Sequence, residues 1–441
     1  MSAGPTIYAL SSAPGRAGVA VIRVSGPEAG KALSALTGRK TIAPRKAALA
    51  TLRDQDGAVI DRALVLWFRG PASFTGEDVA EFHVHGGRAV VEAVLAALGK
   101  MPGLVPAEPG QFTRRAVENG KFDLTGAEAL GDLIDAETEA QRRQALRQMG
   151  GALCALYDGW RARLIRASAW AEASIDFSDE EVPEEANSEA RQAMAEILKE
   201  IQSHLDDTHR GELIREGLLL TVIGRPNSGK STLVNALAKR DVAIVAETAG
   251  TTRDVIEVRM DLGGYAVMVA DTAGLREAAE AIEAEGVRRA LARAEAADIV
   301  VLVLDGTAAD PFAGIPAEAR ERAGLTVWNK ADLPFPAPRE GLKISARTGE
   351  GLPALVEALT GLVEDRLAGA GESPVLTRAR HRMALEEAAS ALARALQAPA
   401  DAPELMAEDM RLALRALGRI TGRVDVEELL DVVFRDFCIG K

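Results

Sequence analysis

Apolar positions along the chain follow different patterns in successive stretches. Residues 1 to about 120 mix short apolar runs with glycine-rich turns. The runs at 63–68 and 79–84 predict β-strands, and the spacing of apolar residues over 89–98 predicts a helix. From about 121 to 216 the pattern is almost continuously helical, with little glycine or proline. The first half of the chain therefore predicts a mixed α and β domain followed by helices.

Between about 217 and 371, apolar runs alternate with helical segments. Runs at 267–270, 299–304 and 326–328 each end at a polar loop or turn, an order that is typical of a parallel sheet with crossover helices. Apolar runs also flank Gly263-Gly264 and predict a hairpin, so one edge strand is expected to be antiparallel. Ligands of such sheets bind at the carboxyl ends of the strands.

The predicted fold class is multidomain, with α+β, α/β and helical parts, because 441 residues suit about two to four domains. We predict an α+β domain over 1–120 and a helical domain in two parts, 121–216 and 372–441. The α/β domain over 217–371 is inserted between those parts. Insertion is tolerated because the two termini of a domain often lie close together.

Composition and charge narrow the function classes. Hydrophobic residues make up 47% of the chain and charged residues 27%, which is an ordinary globular composition. No apolar run is long enough for a membrane span, and we expect no secretory signal. The two cysteines, Cys154 and Cys438, do not suggest a disulfide framework, so the cytoplasm is the expected location. The net charge of −13 argues against a surface that binds nucleic acid everywhere, but not against a local basic patch.

Four short strings carry the chemistry, and they come in a fixed order. Residues 224–231, Gly-Arg-Pro-Asn-Ser-Gly-Lys-Ser, match the phosphate-binding template G-x-x-x-x-G-K-[ST] between a predicted strand and a predicted helix. Gly-Thr-Thr-Arg-Asp at 250–254, Asp-Thr-Ala-Gly at 271–274 and Asn-Lys-Ala-Asp at 329–332 follow. One such match could arise by chance, but four in this order indicate a Ras-like P-loop GTPase domain.

The first string predicts a phosphate cradle. Backbone N–H groups of 227–230 are expected to surround the β-phosphate at the start of a helix. Lys230 would supply charge to the β- and γ-phosphates, and the hydroxyl of Ser231 would bind Mg²⁺. Thr252 would close on the metal and the γ-phosphate, so that the switch is ordered only when that phosphate is present.

The strings at 271–274 and 329–332 predict how the γ-phosphate and the base are recognised. Asp271 would hold the metal through its outer shell, and the N–H of Gly274 would sense the γ-phosphate. Asp332 would select guanine, because a carboxylate accepts two parallel N–H bonds that adenine does not offer. Asn329 and Lys330 would brace the purine. The predicted nucleotide-binding residues are Asn227, Ser228, Gly229, Lys230, Ser231, Thr232, Ala246, Glu247, Thr248, Ala249, Gly250, Thr251, Thr252, Asp271, Thr272, Ala273, Gly274, Asn329, Lys330, Ala331, Asp332, Ser345, Ala346 and Arg347.

The group that activates water is not evident from these strings. Small signalling GTPases carry a glutamine directly after Asp-x-x-Gly, and here that position is Leu275, which cannot orient water. Another group must therefore position the nucleophile and neutralise charge. Arg253 and Arg276 lie near, but each equally suits an ordinary surface role.

The chain resembles the MnmE (TrmE) family of tRNA-modification GTPases over essentially its whole length. The guanine-nucleotide strings are shared with ribosome-assembly GTPases, whereas the other matching strings are more specific. Those strings are Phe-Thr-Gly-Glu-Asp at 74–78, His-Gly-Gly at 85–87, Gly-Gln-Phe-Thr-Arg-Arg at 110–115, Asn-Gly-Lys-Phe-Asp-Leu at 119–124 and Cys-Ile-Gly-Lys at 438–441.

The resemblance implies a catalytic ion and a catalytic glutamate. The family binds K⁺ between its G domains, where the ion does the work of an arginine finger. Carried over, the K⁺ ligands are the side chain of Asn227 and the backbone carbonyls of Ala246, Thr248 and Thr251. The water-activating glutamate falls on Glu283, although neighbouring glutamates at 280 and 285 suit the same role by position.

The resemblance also implies a folate site and a reactive tail. Residues 1–120 are similar to the family's tetrahydrofolate-binding and dimerisation domain, with folate contacts at Arg23, Glu81, Lys121 and Lys441. Cys438 would lie near the modification site and is treated as catalytic, although nothing shows whether it is a nucleophile. From the residues alone, Glu81 suits a solvent-facing strand position equally well.

The activity implied is K⁺- and Mg²⁺-dependent GTP hydrolysis coupled to tRNA modification. A homodimer and a flavin-dependent partner of the MnmG (GidA) type would install a carboxymethylaminomethyl or aminomethyl group at C5 of the wobble uridine, with 5-formyl- or methylene-tetrahydrofolate as cofactor. The alternative is a ribosome-assembly GTPase without a covalent RNA product. Arginines at 411, 415, 419 and 423 recur every four residues; this stripe suits either tRNA phosphates or the acidic segment near Asp179.

Overall fold

The chain forms two compact units, each assembled from separate segments. The computed structural model describes residues 4–176, 184–240, 242–244, 258–269, 291–292, 294–368, 375–399, 402–424, 430–431, 433–434, 437 and 439–440, without the side chains of 173–176 and 184–187. One unit comprises Met1–Gly131, Met149–Glu172 and Ala407–Lys441, and the other comprises Asp132–Gln148 and Ala173–Met406. The domain boundaries given above stay a prediction.

The strands of the described residues form two sheets. They are β1 (Thr6–Leu10), β2 (Ala17–Ser25), β3 (Ala48–Arg53), β4 (Val59–Phe68), β5 (Val79–Gly86), β6 (Leu104–Pro106), β7 (Leu218–Ile223), β8 (Ala243–Ile244), β9 (Val258–Leu262), β10 (Tyr265–Val269), β11 (Ile299–Asp305), β12 (Leu325–Asn329) and β13 (Leu342–Lys343).

The helices of the described residues come from both units. They are α1 (Ala29–Thr37), α2 (Arg88–Gly99), α3 (Gln111–Glu118), α4 (Leu124–Asp135), α5 (Glu139–Met149), α6 (Ala152–Asp176), α7 (Glu184–Leu205), α8 (Arg210–Glu216), α9 (Lys230–Ala238), α10 (Ala317–Glu321), α11 (Leu352–Leu367), α12 (Ala379–Gln397) and α13 (Pro403–Thr421). The predicted strands in the first hundred residues and the predicted helical stretches on both sides of 217–371 are confirmed.

The N-terminal sheet has the strand order β3-β4-β5-β2-β1-β6. Its neighbours pair antiparallel, except β1 with β6. Alternate residues such as Ile22, Val24 and Phe82 are buried in one cluster with Leu33 of α1 and Leu98 of α2. Because side chains alternate across a strand, Arg23 and Glu81 lie on the opposite face.

The second sheet has the order β13-β12-β11-β7-β10-β9-β8. Five strands are parallel, while β9 pairs antiparallel with β10, and β8 antiparallel with β9. The predicted hairpin is therefore confirmed. One strand, β9, runs opposite to the others, as expected, but it is not the edge strand. The edge is β8, which is only two residues long and leaves no pattern in the sequence.

Apolar residues cover both faces of the second sheet. On one face, Leu233 of α9 and Leu359 of α11 pack with Val301 and Val303. On the other face, Leu302 packs with Ala319 of α10. A parallel strand buried on both faces needs a continuous apolar run, which is why β11 reads Ile-Val-Val-Leu-Val-Leu.

Helices from before and after the second sheet pack together. Arg191 of α7 donates to the carbonyl oxygens of Leu396 (2.9 Å) and Ala398 (3.1 Å) at the end of α12. Arg382 of α12 pairs with Asp207 (2.7 Å) and Glu212 (3.3 Å). Among the described residues, no helix has the length and apolar character that crossing a membrane requires.

One histidine in this helical packing makes stability depend on pH. Burial lowers the pKa of His204 from 6.5 to about 4; Asp207 opposes the shift, while Arg382 and His381 add to it. As pH falls from about 6.5 to 4, the unfolded chain binds this proton first, so the folded state is destabilised by at most about 1.4 kcal/mol per pH unit. We predict that the melting temperature of His204→Gln falls less than that of wild type when pH is lowered from about 7 to 5.

The matched control for this prediction is His209→Gln, because the His209 side chain is 61% exposed and pairs at the surface with Glu212. That variant should keep the wild-type loss. If His204→Gln and wild type lose the same melting temperature, burial of His204 does not govern acid stability.

Candidate functional site

The loop between β7 and α9 wraps tightly, and two glycines permit it. Gly224, Asn227 and Gly229 have φ values of 154°, 61° and 96°. A Cβ added at Gly224 would lie 2.2 Å from the carbonyl oxygen of Val303, and one at Gly229 would lie 2.1 Å from Nδ2 of Asn329. Glycine is therefore required at both positions by contact as well as by backbone conformation.

Lys230, the first residue of α9, lies folded back over this loop. Its Nζ donates to the carbonyl oxygens of Gly224 (2.9 Å) and Arg225 (2.7 Å). Burial lowers the pKa of Lys230 to about 8. A nearby anion favours the charged ammonium, so a bound phosphate would raise this pKa again. The loop thus combines a lysine with the amides at a helix start, which is an anion-binding arrangement.

The hydroxyl-bearing residues of the loop differ in exposure. Ser228 is 1% exposed, and its Oγ has no hydrogen-bond partner among the described residues. Ser231 and Thr232, in the first turn of α9, are exposed, as is Asn227. Ser231 and Asn227 are therefore open to solvent beside the loop.

The side chain of Asn329 joins this loop to the predicted base-recognition loop. Its Nδ2 donates to the carbonyl oxygen of Ser228 (2.8 Å), and its Oδ1 accepts from the N–H of Ala346 (3.0 Å). Asn329 ends β12 and is 3% exposed. The sequence suggested contact with a purine for this residue, whereas the geometry shows a brace between two loops.

Lys330 follows in a left-handed conformation and makes an ion pair that the sequence did not indicate. Its φ is 68°, and its Nζ lies 2.5 Å from Oδ2 of Asp305 at the end of β11. Burial alone would raise the pKa of Asp305, but hydrogen bonds from Lys330 and Thr307 outweigh it and lower that pKa. Asp305 and Lys330 therefore form a fixed ion pair at the carboxyl edge of the sheet.

Asp332 presents a carboxylate that is held in place on both oxygens. Oδ1 accepts from the hydroxyl of Ser345 (2.6 Å), and Oδ2 lies 2.7 Å from Nη2 of Arg347. The bond from Ser345, with help from Arg347, keeps the pKa of Asp332 below its usual value. An ionised carboxylate accepts hydrogen bonds only, which suits a ligand that offers N–H groups.

The structure thus brings two of the four strings, together with the predicted residues 345–347, to one edge of the second sheet. They are 227–232 after β7, 329–332 after β12, and 345–347 after β13. Apart from Arg23, Glu81 and Lys121, the other predicted site residues lie outside the described residues. These are Ala246, Glu247, Thr248, Ala249, Gly250, Thr251, Thr252, Asp271, Thr272, Ala273, Gly274, Glu283, Cys438 and Lys441, together with Arg253, Leu275 and Arg276.

Arg23 and Glu81 form a second polar cluster, and their side chains are only 19% and 15% exposed. They face each other across β2 and β5, with Nε and Nη2 of Arg23 both 3.0 Å from Oε1 of Glu81. The guanidinium carbon lies 5.1 Å from the ring centre of Phe74 and 5.6 Å from that of Phe112. The other Glu81 oxygen lies 3.3 Å from Nε2 of His83.

The two histidines of β5, His83 and His85, each lie beside a carboxylate. In the described part of the chain, no group of three or more His, Cys, Asp and Glu side chains is placed to hold a metal ion. His85 instead pairs through Nδ1 with Asp61 at 2.8 Å.

Lys121 lies in a loop that Gly76 makes possible. Its Nζ donates to the carbonyl oxygen of Pro71 at 2.9 Å. A Cβ added at Gly76 would lie 3.0 Å from Cβ of Asn119 and 3.5 Å from Cδ of Lys121. Asn119 in turn donates to the carbonyl oxygen of Thr75 at 2.7 Å. The strings at 74–78 and 119–124 therefore meet in one loop cluster.

Arg115 is a buried organising residue that sequence reasoning missed. It is 8% exposed and bonds Glu77 at 2.8 Å, the carbonyl oxygen of Ser25 at 3.2 Å and that of Pro5 at 2.6 Å. The hydroxyl of Ser25 also donates to Glu77 at 2.7 Å. Only the repeated arginines in Gly-Gln-Phe-Thr-Arg-Arg gave a sequence signal, and nothing in them indicated burial.

The arginine stripe near the C-terminus pairs with α6. Arg411 of α13 lies 3.3 Å from Glu172, and Arg423 lies 2.5 Å from Asp158. The acidic segment near Asp179, considered above as a partner, includes residues outside those described. The ion pairs seen are with α6 and, for Arg411, also with Glu408 of α13 at 2.9 Å.

We predict that Gly229→Ala abolishes binding of guanosine diphosphate, because the added methyl group displaces Asn329 and adds backbone strain. Calorimetry of the purified variant gives the affinity. Gly314→Ala is the matched control, since Gly314 is also left-handed (φ 72°) but has open space around its Cα. Gly314→Ala should carry the same backbone strain but keep nucleotide binding. Intact binding in Gly229→Ala would show that the contact with Asn329 is not needed.

Comparison with known proteins covers the whole chain. A family described as the MnmE helical domain matches residues 124–438, and one described as the GTP-binding protein TrmE N-terminus matches residues 6–121. The protein named tRNA modification GTPase MnmE in Parvibaculum lavamentivorans is 59% identical over 441 residues, covering 99% of this chain and 100% of that relative. The protein of the same name in Rhodospirillum rubrum is 55% identical and covers 99% of both chains.

The similar solved structures cover only part of the chain. The G domain of the FeoB iron transporter of T. maritima is 24% identical and covers 33% of this chain and 98% of that domain, at a TM-score of 0.25. A TM-score that low supports no conclusion about this chain. The full-length relatives and the two family matches show that the chain belongs to the MnmE (TrmE) family of tRNA modification GTPases.

Proposed function

We propose that this chain hydrolyses GTP and couples the reaction to modification of tRNA. The observation that carries the proposal is the brace made by Asn329, which joins the lysine-containing phosphate loop to the loop that holds an ionised Asp332. One ligand with phosphates at one end and a purine at the other suits both loops. Family membership supports the same activity.

Recognition of guanine follows from the fixed carboxylate. Guanine offers two parallel N–H donors from its ring nitrogen and its amino group, and Asp332 offers only acceptors. Adenine presents a ring acceptor there, which would face the carboxylate unfavourably. Ser345 and Arg347 keep Asp332 ionised, so it needs no proton loss before it binds the base. The backbone N–H groups of 345–347 would contact the guanine oxygen. In the structure the N–H of Ala346 donates to Oδ1 of Asn329, so its contact with that oxygen would be shared.

The phosphate end fits Mg²⁺ and GTP. Lys230 is held over the loop by two carbonyl oxygens that a phosphate oxygen could replace as its partners. The hydroxyl of Ser231 is exposed in the first turn of α9 and would be a metal ligand beside the phosphates. When bound, Mg²⁺ would neutralise charge that develops between the β- and γ-phosphate oxygens. Thr252 would be its second protein ligand in the proposal.

The proposal includes K⁺ as a second cation, with Asn227 as its side-chain ligand. Asn227 is exposed and left-handed at the outer side of the loop, so its amide oxygen is free to face a cation there. The carbonyl groups of Ala246, Thr248 and Thr251 would complete the site. Glu283 is the proposed water-activating residue, because Leu275 cannot fill that role.

A folate site on the N-terminal unit is the next part of the proposal. Glu81 is fixed by Arg23 and keeps lone pairs for N–H donors of a pterin ring. The missing side chain of Gly76 leaves room beside Lys121, whose ammonium suits the carboxylates of a folate tail. Lys441 would add a second positive charge. The folate would supply a one-carbon unit to the chemistry.

The remaining parts of the proposal come from the family resemblance. They are a homodimer formed through residues 1–120, a flavin-dependent partner of the MnmG (GidA) type, Cys438 near the modification site, and a cytoplasmic location. The modified position would be C5 of the wobble uridine in certain tRNAs.

We predict that Asp332→Asn lowers affinity for guanosine diphosphate by about 100-fold, since two hydrogen bonds to a charged acceptor are lost. The same variant should gain affinity for xanthosine diphosphate, whose base carries an oxygen in place of the amino group. Calorimetry with both nucleotides measures the exchange. Asp310→Asn, an exposed loop substitution in the same unit, should change neither affinity. Wild-type guanine affinity in Asp332→Asn would remove this residue from base recognition.

The proposed function itself is tested by a mass-spectrometric inventory of tRNA nucleosides in cells with and without this gene product. Loss of the C5-modified wobble uridine is expected, and restoring the wild-type chain should restore the nucleoside. Unchanged tRNA together with accumulated ribosome precursors would instead support the ribosome-assembly alternative. Purified protein that shows no GTP turnover would contradict both.

A further inference from the structure

Asp305, the last residue of β11, lies beside the loop assigned above to the base. In the parallel register of β11 and β12 it is the partner of Asn329, so Lys330 follows at the same edge of the sheet. The side chains of Asp305 and Lys330 are 21% and 31% exposed, and Nζ of Lys330 lies 2.5 Å from Oδ2 of Asp305. The nucleotide-binding residues predicted from the sequence include Lys330 but not Asp305.

The Asp305 carboxylate is held in one orientation by its own loop. Its Oδ1 accepts from the N–H of Thr307 at 2.9 Å and from the hydroxyl of Thr307 at 2.6 Å. The loop is tied to β12, because the N–H of Gly306 donates to the carbonyl oxygen of Asn329 at 3.0 Å. With Oδ1 occupied in this way, Oδ2 is the oxygen that faces Lys330.

Lys330 is thereby fixed at both ends of its side chain. Its backbone is left-handed, with a φ of 68°, and its carbonyl oxygen accepts from the N–H of Leu333 at 2.9 Å. The next residue, Ala331, donates to the carbonyl oxygen of Ile344 at 2.9 Å. At the other end, the ammonium is held by Asp305. The four methylene groups between these points form a stem of the kind that covers apolar surface while its charge lies elsewhere.

The two lysines of the site differ in what their ammonium groups contact. Lys230 donates to the carbonyl oxygens of Gly224 and Arg225, which are neutral partners. Lys330 instead faces a carboxylate. A phosphate readily replaces neutral partners, whereas at Lys330 it would compete with a charged acceptor. Lys330 is therefore suited to act through its methylene groups rather than as a phosphate ligand.

We propose that Asp305 is a positioning residue for the guanine base: it holds the Lys330 side chain extended, so that its methylene groups cover one face of the purine that Asp332 binds by its edge. The proposal rests on the proposed function, since it assumes a guanine nucleotide at the 329–332 loop. A lysine side chain that is already ordered loses less conformational entropy when the ligand binds. Variants of one binding site differ mostly in dissociation rate, so loss of Asp305 should accelerate nucleotide release.

The test measures the release of a fluorescent guanosine diphosphate from the full-length protein by stopped flow. Asp305→Asn should accelerate release about five- to tenfold, because the amide no longer attracts the ammonium and the lysine side chain gains freedom. In steady-state GTP hydrolysis the same variant should raise KM by a similar factor and leave kcat unchanged, since the reacting phosphates lie at the other end of the ligand.

A double-mutant cycle with Lys330→Met shows whether Asp305 acts through Lys330. Methionine keeps most of the apolar stem and lacks the ammonium, so it breaks the same ion pair from its other end. In the Lys330→Met background, Asp305→Asn should accelerate release no further. A residue that only supported the shape of its own loop would accelerate release equally in both backgrounds.

The matched control is Asp298→Asn, which lies immediately before the opposite end of β11. The Asp298 carboxylate accepts from the N–H of Leu219 at 2.8 Å, so this variant also removes a charged acceptor from a hydrogen bond. It should keep wild-type release, KM and kcat. Melting temperatures of all variants show that the proteins being compared are folded.

Wild-type release in Asp305→Asn would overturn the proposal, and so would equal acceleration in the two Lys330 backgrounds or a fall in kcat without a change in KM. If Asp305→Asn does not fold, wild-type release in Lys330→Met alone overturns it. A wild-type protein that does not bind guanosine diphosphate would instead refute the proposed function, so the two failures are distinguishable.

Discussion

The nucleotide-binding edge of the second sheet depends on one side chain that spans two loops. Asn329 donates to the backbone of Ser228 and accepts from the backbone of Ala346, so it fixes the distance between the phosphate loop and the base loop. Being almost fully buried, it cannot exchange these bonds for bonds to water. Gly229 must lack a side chain here, because an added Cβ would lie 2.1 Å from Nδ2 of Asn329. The spacing of the two loops is therefore fixed by the protein itself, and such preorganisation lowers the cost of ordering when a ligand binds.

The N-terminal unit uses buried polar residues in the same way, to connect segments that are distant in sequence. Arg115 links Pro5, Ser25 and Glu77 with hydrogen bonds of 2.6–3.2 Å. A buried guanidinium left without such partners would be strongly destabilising. The strings that resemble the tRNA-modification family are thus partly structural. Of the predicted folate residues in that region, Lys121 is exposed, whereas Arg23 and Glu81 are largely covered.

Features that depend on neighbouring residues could be predicted from the sequence, whereas contacts between distant residues could not. The strand, loop and helix around Lys230 could be predicted because the apolar run, the glycines and the motif lie within about twenty consecutive residues. The ion pair between Asp305 and Lys330 could not, because its members belong to different strands and no spacing relates them. For the same reason β8 and the buried role of Arg115 were missed. Each depends on a partner that only the fold brings near.

The hairpin of β9 and β10 is bonded to a helix of the same unit. In sequence it lies between the strings at 250–254 and 271–274. Its turn is tied to α5, because the N–H of Ala140 donates to the carbonyl oxygen of Gly264 at 3.0 Å. Arg259 in β9 also pairs with Glu137 at 3.1 Å, beside a cavity of about 240 Å³ that both residues line. A displacement of this hairpin must therefore either move α5 or break these bonds.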